Sequence, residues 1–189
     1  MRKIILDLTL TLDGFIEGPD GEIDWIVEDP TTDFGDILNG ILEGIDTIFY
    51  GRLSYDLWGN YRPGIEASEK LRNAYALLHS KKKYVFSNTK KDDNHATIVR
   101  GDLKKEVDRI RRQSGENIWL YGGASLVTDF INLVLIDQYR LSLQPVILGK
   151  GKPLFHDIEK RLQLQLMDVQ KSASGVVQLI YQRSSVQPS

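Results

Sequence analysis

The sequence predicts an α/β protein with a mixed, mostly parallel central sheet that closes in an antiparallel hairpin. Three observations carry this. Short apolar runs alternate with amphipathic stretches along the chain, the pattern of strand–helix units. Two of the runs, 46–50 and 117–121, stop at glycines and lead straight into helical patterns. The last two runs, 162–171 and 176–182, flank Ala173-Ser174-Gly175, as an antiparallel pair would.

Ile4–Leu12 reads as a buried first strand. Asp13-Gly14, Gly18-Pro19-Asp20-Gly21 and Asp29-Pro30 are turn signals, so 13–31 reads as mostly loop. Thr32 or Asp33 suits the cap of a helix running to about Leu42. Asp46–Tyr50 is a strand, and 53–58 a short helix. Ala67–Leu78 is a helix that puts Leu71, Ala74, Tyr75 and Leu78 on one face. Tyr84–Ser87 and Thr97–Val99 follow as strands, and Leu103–Gln113 as a polar helix with Leu103, Val107 and Ile110 facing inward. Asn117–Tyr121 is a strand, 124–135 a helix, and Gln138–Gln144 a strand closed by Pro145. Residues 1–183 are expected to form a single domain, with 184–189 a loose polar tail.

The 189 residues are long enough to bury a core without covalent staples. Zero cysteines exclude a disulfide framework, a thiolate metal site and a cysteine nucleophile. His79, His95 and His156 are scattered, so no metal is expected. No apolar run approaches the roughly 20 residues of a membrane span, and no cleavable leader is visible. The expectation is a soluble cytoplasmic protein without a membrane partner. The net charge of −2 averages −10 over residues 1–50 against +8 from Gly51 onward, with +5 of that in 81–116. Either these are solvated faces, or the later segments suit an anion. The basic block is mixed in sign and poor in aromatics, which argues against nucleic acid.

Ligands in open α/β sheets bind beyond the carboxyl ends of strands. Two junctions there carry suitable residues. In Tyr50-Gly51-Arg52-Leu53-Ser54-Tyr55, the guanidinium offers a fork for phosphate and Ser54 can cap a helix or bond an anion. In Tyr121-Gly122-Gly123-Ala124-Ser125-Leu126, paired glycines permit positive φ and close backbone approach. Neither forms the three-glycine dinucleotide fingerprint, a phosphate-binding Walker loop or a nucleophile elbow.

Together, in this order, the motifs resemble the dihydrofolate reductase-like superfamily. Gly51-Arg52-x-Ser54-Tyr55-Asp56 resembles its Gly-Arg-x-Thr-Trp-Glu motif. Leu10-Thr11-Leu12-Asp13-Gly14-Phe15-Ile16 resembles the first strand and loop of the C-terminal reductase domain of the riboflavin-biosynthesis deaminase-reductase. Tyr121-Gly122-Gly123-Ala124 resembles the shared cofactor turn. Gln144 to Phe155 resembles the Pro-x-x-x-Gly-x-Gly-x-Pro-Leu-Phe run. The likeness spans residues 4 to about 182 and is nearest to small stand-alone bacterial members.

The resemblance implies a three-layer α/β/α dihydrofolate reductase-like fold that binds NADPH. Carried over by position, Arg52 would contact the adenosine 2′-phosphate. Gly51, Leu53 and Ser54 would sit at a phosphate. Gly122, Gly123, Ala124, Ser125 and Leu126 would hold the pyrophosphate. Ser87 and Asn88 would flank the adenosine, and Thr9 and Ile16 would line the nicotinamide. Thr9 and Ile16 equally suit packing, and Ser87 a cap.

On the substrate side the resemblance points to a carboxylate on the first helix, Asp36 or Asp33. Both also fit an N-cap and a first-turn dipole partner. Asp13, Trp25 and Phe34 are the substrate-binding candidates, and Trp25 and Phe34 also suit a core. Tyr121 has a hydroxyl able to donate a proton. Phe15 and Tyr121 stand where the riboflavin-pathway reductase has Lys and Glu, which leaves the substrate open. The implied function is NADPH-dependent reduction of a pterin-, folate- or pyrimidine-type small molecule by a homodimer. The alternative is a catalytically weak pterin-, flavin- or nucleotide-binding module on the same fold.

Overall fold

The computed structural model describes residues 1–27 and 32–184. The Asp29-Pro30 turn signal and 185–189 of the predicted tail lie outside the described residues. In chain order the elements are β1 (Ile4–Thr11), β2 (Phe15–Glu17), α1 (Phe34–Leu42), β3 (Ile45–Gly51), α2 (Arg52–Trp58), α3 (Glu69–Ser80), β4 (Lys82–Phe86), β5 (Thr97–Val99), α4 (Leu103–Arg111), β6 (Asn117–Gly122), α5 (Ala124–Asn132), β7 (Gln138–Gln144), β8 (Lys152–Pro153), β9 (Leu164–Lys171) and β10 (Val177–Arg183). The fold class is α/β, with mostly parallel pairing and a closing antiparallel hairpin. The chain packs as two compact units.

The first unit holds Met1–Lys3 and Asp29–Gly123. Its strands lie in the order β5-β4-β3-β6, all parallel. β3 is the centre, and Ile45, Thr47, Ile48, Phe49 and Tyr50 are buried in it. A strand flanked on both sides and covered on both faces is expected to read as an apolar run, and Ile48–Tyr50 does. The pairing of β3 with β6 is irregular at two places, between Ile45 and Thr47 and between Phe49 and Tyr50. Phe49 faces Leu120 but Tyr50 faces Gly122, so Tyr121 is the extra residue of a bulge.

Three helices, α1, α3 and α4, start at side-chain caps. Asp33 accepts from Gly35 N at 2.7 Å, Ser68 from Leu71 N at 3.0 Å and Asp102 from Lys105 N at 2.9 Å. Asp33 rather than Thr32 therefore starts α1, and α3 begins two residues later than its apolar pattern suggests. α1 and α3 approach so closely that a Cβ on Gly35 would lie 2.5 Å from the Lys70 carbonyl carbon. The N-terminal residues are fastened by Arg2, whose side chain is buried. Its Nε donates to Glu116 O at 2.6 Å, and its Nη2 donates to Thr47 Oγ1 at 2.6 Å and to Asp46. Removing the Asp46 carboxylate would leave the buried Arg2 charge without its anionic partner.

The second unit holds Ile4–Glu28 and Ala124–Ser189. β1 pairs parallel with β7, from Ile5 opposite Gln138 to Thr11 opposite Gln144. β10 runs antiparallel to both β7 and β9. Val127, Phe130, Ile131, Tyr139, Leu141 and Leu154 form much of its core. The hairpin extends through Arg183, and Ser184 N donates to Gln163 O at 3.1 Å. The segment expected to be loop contains a short strand, β2, paired antiparallel with β8. Asp7, Thr11 and Gln144 are buried polar residues in this unit's sheet. Asp7 is 6% exposed, with Arg140 Nη1 at 3.8 Å.

Two stability predictions follow from this packing. Gly35→Ala is expected to push α3 off α1 and cost about 2 kcal/mol, read as a lower urea midpoint with an unchanged slope. Burial pushes the Asp7 carboxyl from 3.8 up to about 6, with Arg140 opposing the rise. At about pH 3 and below both states hold the proton and nothing is lost. As pH rises from there to about 6 the unfolded chain ionises first, and stability falls by up to about 3 kcal/mol. Asp7→Asn is therefore expected to gain on the wild type across that window in pH-dependent urea unfolding. A constant difference would remove Asp7 as the cause.

Candidate functional site

The chemistry-bearing residues of the first unit gather where β3 and β6 end. At the β-bulge the Tyr121 and Tyr50 ring centroids lie 4.8 Å apart. The Tyr50 hydroxyl is buried and makes no hydrogen bond. Burial raises both hydroxyls far above the usual tyrosine range, so both stay protonated at any physiological pH. Each offers an O–H rather than a phenolate. Tyr121 is half-buried, whereas Tyr50 is fully enclosed.

Beyond Tyr121, Gly122 has φ +110°, a conformation that side chains other than glycine rarely adopt, and the Gly122–Gly123 peptide is cis. A Cβ on Gly123 would sit 3.0 Å from Ser54 Oγ. The two strand-to-helix junctions picked out in the sequence therefore meet in space, and the second glycine is what lets them. Gly51 itself is extended at φ −75° and caps α2 with no side-chain bond, so its backbone does not require glycine.

Arg52 is the first residue of α2, with its side chain 46% exposed, and its Nη1 lies 3.5 Å from Asp56 Oδ2. Leu53 is exposed and Ser54 half-buried. A second cation joins them that the sequence reading missed. Lys90 Nζ donates to Asp56 Oδ1 at 2.6 Å and lies 5.0 Å from the Tyr55 ring centre. Ser87 and Asn88 shape the loop that carries it. Ser87 Oγ accepts from Lys90 N at 3.0 Å and Thr89 N at 3.2 Å, and Asn88 Oδ1 accepts from Gly101 N at 3.2 Å. Both side chains are thus engaged with backbone. The only sequence signal for Lys90 was the Lys90-Lys91 pair after Ser87-Asn88.

On α1, Asp33 is the cap, and bonds from Ser68 and from Gly35 N hold its carboxyl below the usual range. Asp36 forms an ion pair with Lys70 at 2.7 Å, and its side chain is 48% exposed. Phe34 is exposed, as is Ile37 one turn on. This gives α1 an outward apolar strip beside the buried one that includes Leu38 and Leu42.

The second unit holds the remaining candidates. Thr9 and Ile16 are half-buried on β1 and β2. At the start of α5, Ala124 and Leu126 are buried while Ser125 is exposed. Trp25 is half-buried and its Nε1 donates to Glu22 O at 3.1 Å. Asp13 is occupied by its own chain. It accepts from Thr11 Oγ1 at 2.6 Å, Gly149 N at 2.8 Å and Leu148 N at 3.2 Å, which ties the 146–151 turn to the end of β1. These bonds hold its carboxyl below the usual range, the Thr11 hydroxyl contributing most.

Among the described residues, no helix is long and apolar enough to cross a membrane, and no cluster of three or more His, Asp or Glu is placed to hold a metal. Residues 2–178 match the model of the RibD C-terminal domain, and the chain belongs to that family. It is 51% identical over 181 residues to the uncharacterized protein YyaP of Bacillus subtilis (strain 168), covering 95% of this chain and 94% of that one. A solved Shewanella sp. PV-4 protein named for riboflavin biosynthesis matches with a TM-score of 0.77 at 22% identity, over 97% of this chain and 99% of that one. Dihydrofolate reductase from Enterococcus faecalis, complexed with NADP(H) and RAB-propyl, matches with a TM-score of 0.64 at 12% identity, over 97% of each chain. The fold is therefore dihydrofolate reductase-like.

The role of Asp13 as a tether makes a prediction. Asp13→Ala is expected to free the Leu148–Gly149 turn and speed trypsin cleavage after Lys150 severalfold, followed by mass spectrometry. Unchanged cleavage there would remove the tether.

Proposed function

We propose that the protein is an NADPH-dependent reductase that delivers hydride to a small planar heterocycle of the pterin, folate or pyrimidine type. The observation that carries the reading is the meeting of Ser54 and Gly123. The junction bearing a guanidinium and a hydroxyl lies against a glycine turn where an added Cβ would crowd the Ser54 hydroxyl at 3.0 Å, and backbone can approach a phosphate there. Family membership supports a reductase-type activity, and the NADP(H) named with the Enterococcus faecalis enzyme supports the choice of cofactor.

The donor set fits a dinucleotide phosphate. Arg52 would meet the 2′-phosphate and Ser54 an adjacent phosphate oxygen, with Gly51 and Leu53 framing them. Gly122 and Gly123, continued by Ala124, Ser125 and Leu126, would hold the pyrophosphate through backbone N–H groups. Ser87 and Asn88 would hold the loop against the adenosine, and Thr9 and Ile16 would line the nicotinamide. When bound, the cofactor supplies the hydride. The chain would orient the acceptor ring, keep out water and supply a proton. Phe34 and Trp25 would each offer a flat surface for stacking. Tyr121 would donate a hydrogen bond to a ring carbonyl or nitrogen, and Asp36 would carry the proton once released from Lys70.

One observation favours a second reading, a binding module with little turnover. Both α1 carboxylates are engaged, Asp33 as the cap and Asp36 with Lys70.

Nicotinamide fluorescence titration tests the cofactor. NADPH is expected to bind about tenfold more tightly than NADH, and Arg52→Ala to erase most of that gap, the loss of one charge-assisted contact. No binding of either would sink the reading. NADPH oxidation against dihydrofolate, dihydrobiopterin, the ribosylaminopyrimidine precursor of riboflavin and free flavins then separates reductase from binding module. Asp36→Asn is expected to depress any turnover while sparing NADPH affinity.

A further inference from the structure

The two cations of the first unit's junction share one carboxylate. Asp56 Oδ1 accepts from Lys90 Nζ at 2.6 Å, and Asp56 Oδ2 lies 3.5 Å from Arg52 Nη1. Each oxygen thus serves a different cation, as two oxygens of a phosphate would. Lys90 is not a loose surface lysine. Its side chain is 18% exposed, it lies over the Tyr55 ring, and its backbone N–H is fixed by Ser87. Arg100 holds the Lys90 carbonyl at 2.8 Å. Tyr55 is fixed in turn, donating to Asp93 Oδ1 at 3.0 Å. The frame is therefore built, and its anion position is filled by the protein's own carboxylate.

We propose that Asp56 is an internal stand-in for a ribose phosphate. Its carboxylate occupies the position between Arg52 and Lys90 and is displaced when a phosphate monoester on a ribose binds there. The proposal rests on the nucleotide reading and adds a specificity-determining pair to it. Asp56 has two opposite effects. It keeps two cations close together when no nucleotide is bound, and it repels a phosphate that carries nearly two negative charges at neutral pH. Three charges summing to +1 discriminate weakly between a phosphorylated and an unphosphorylated ribose. The same site with Asp56 neutralised carries +2 and discriminates strongly. Lys90 is the second contact to the phosphate, beside Arg52.

The test is a set of titrations on the full chain with four probes: NADPH, NADH, adenosine 2′,5′-bisphosphate and 5′-AMP. Asp56→Asn is expected to tighten NADPH and the bisphosphate about tenfold and to leave NADH and 5′-AMP within about twofold. The gain is expected to shrink as salt is raised, because the interaction is screened. Lys90→Met is expected to weaken the two phosphorylated probes severalfold and spare the other two. Asp56→Ser serves as a second neutral variant, with circular dichroism and thermal midpoint confirming the fold. Binding of all four probes with a ratio that neutralising Asp56 leaves unmoved, or lowers, overturns this inference alone. Failure of the wild type and every variant to bind any probe overturns the nucleotide reading and this inference with it.

Discussion

The first unit is organised by the pairing of β3 with β6. Both strands run parallel and are largely buried, so their polar backbone groups have only each other and their outer neighbours as partners. The extra residue at Tyr121 changes what happens at their ends. Without it Tyr121 would face Tyr50 across the ladder and point with its usual alternation. With it Gly122 takes that place, and the chain turns at once toward Ser54. One inserted residue therefore aims a tyrosine and brings two junctions together. A tighter register would leave each junction an ordinary turn.

The α1–α3 contact does comparable work for the carboxylates. Gly35 lets the α3 backbone come close, and that closeness carries Ser68 and Lys70 to Asp33 and Asp36. Asp33 gains a cap and a second bond, which keep it ionised. Asp36 gains an exposed cation partner. A surface pair of this kind is worth little in stability, so opening it is cheap. That makes Asp36 the more available of the two for a ligand.

Much of the architecture was legible because the signals are local. Buried parallel strands announce themselves as short apolar runs, and Ile48–Tyr50 and Ile118–Tyr121 did so. The glycine pair announced the second junction. What was missed depends on partners far along the chain. β2 is three residues long and exists because Lys152–Pro153 lies beside it. The Tyr121 bulge is a property of two strands in register, not of either sequence. Asp13 looked available until Leu148 and Gly149 were seen to donate to it. Lys90 had no motif, because its meaning comes from Asp56 and Tyr55 on another element. Helix starts sat in between, since Asp33 and Thr32 are equally good caps until one is seen to accept the bond.

The division of the chain has a consequence for its synthesis. One unit is built almost wholly from a continuous stretch, Asp29–Gly123, whereas the other joins a segment before it to one after it. The Ile4 amide is held by an aspartate 133 residues further on. On a ribosome the middle of the protein has all its strands in hand while β7 is still being made. Closing so long a loop is slow and entropically costly. The β1–β7 ladder is thus among the last to form, and until then that edge of β1 is unpaired.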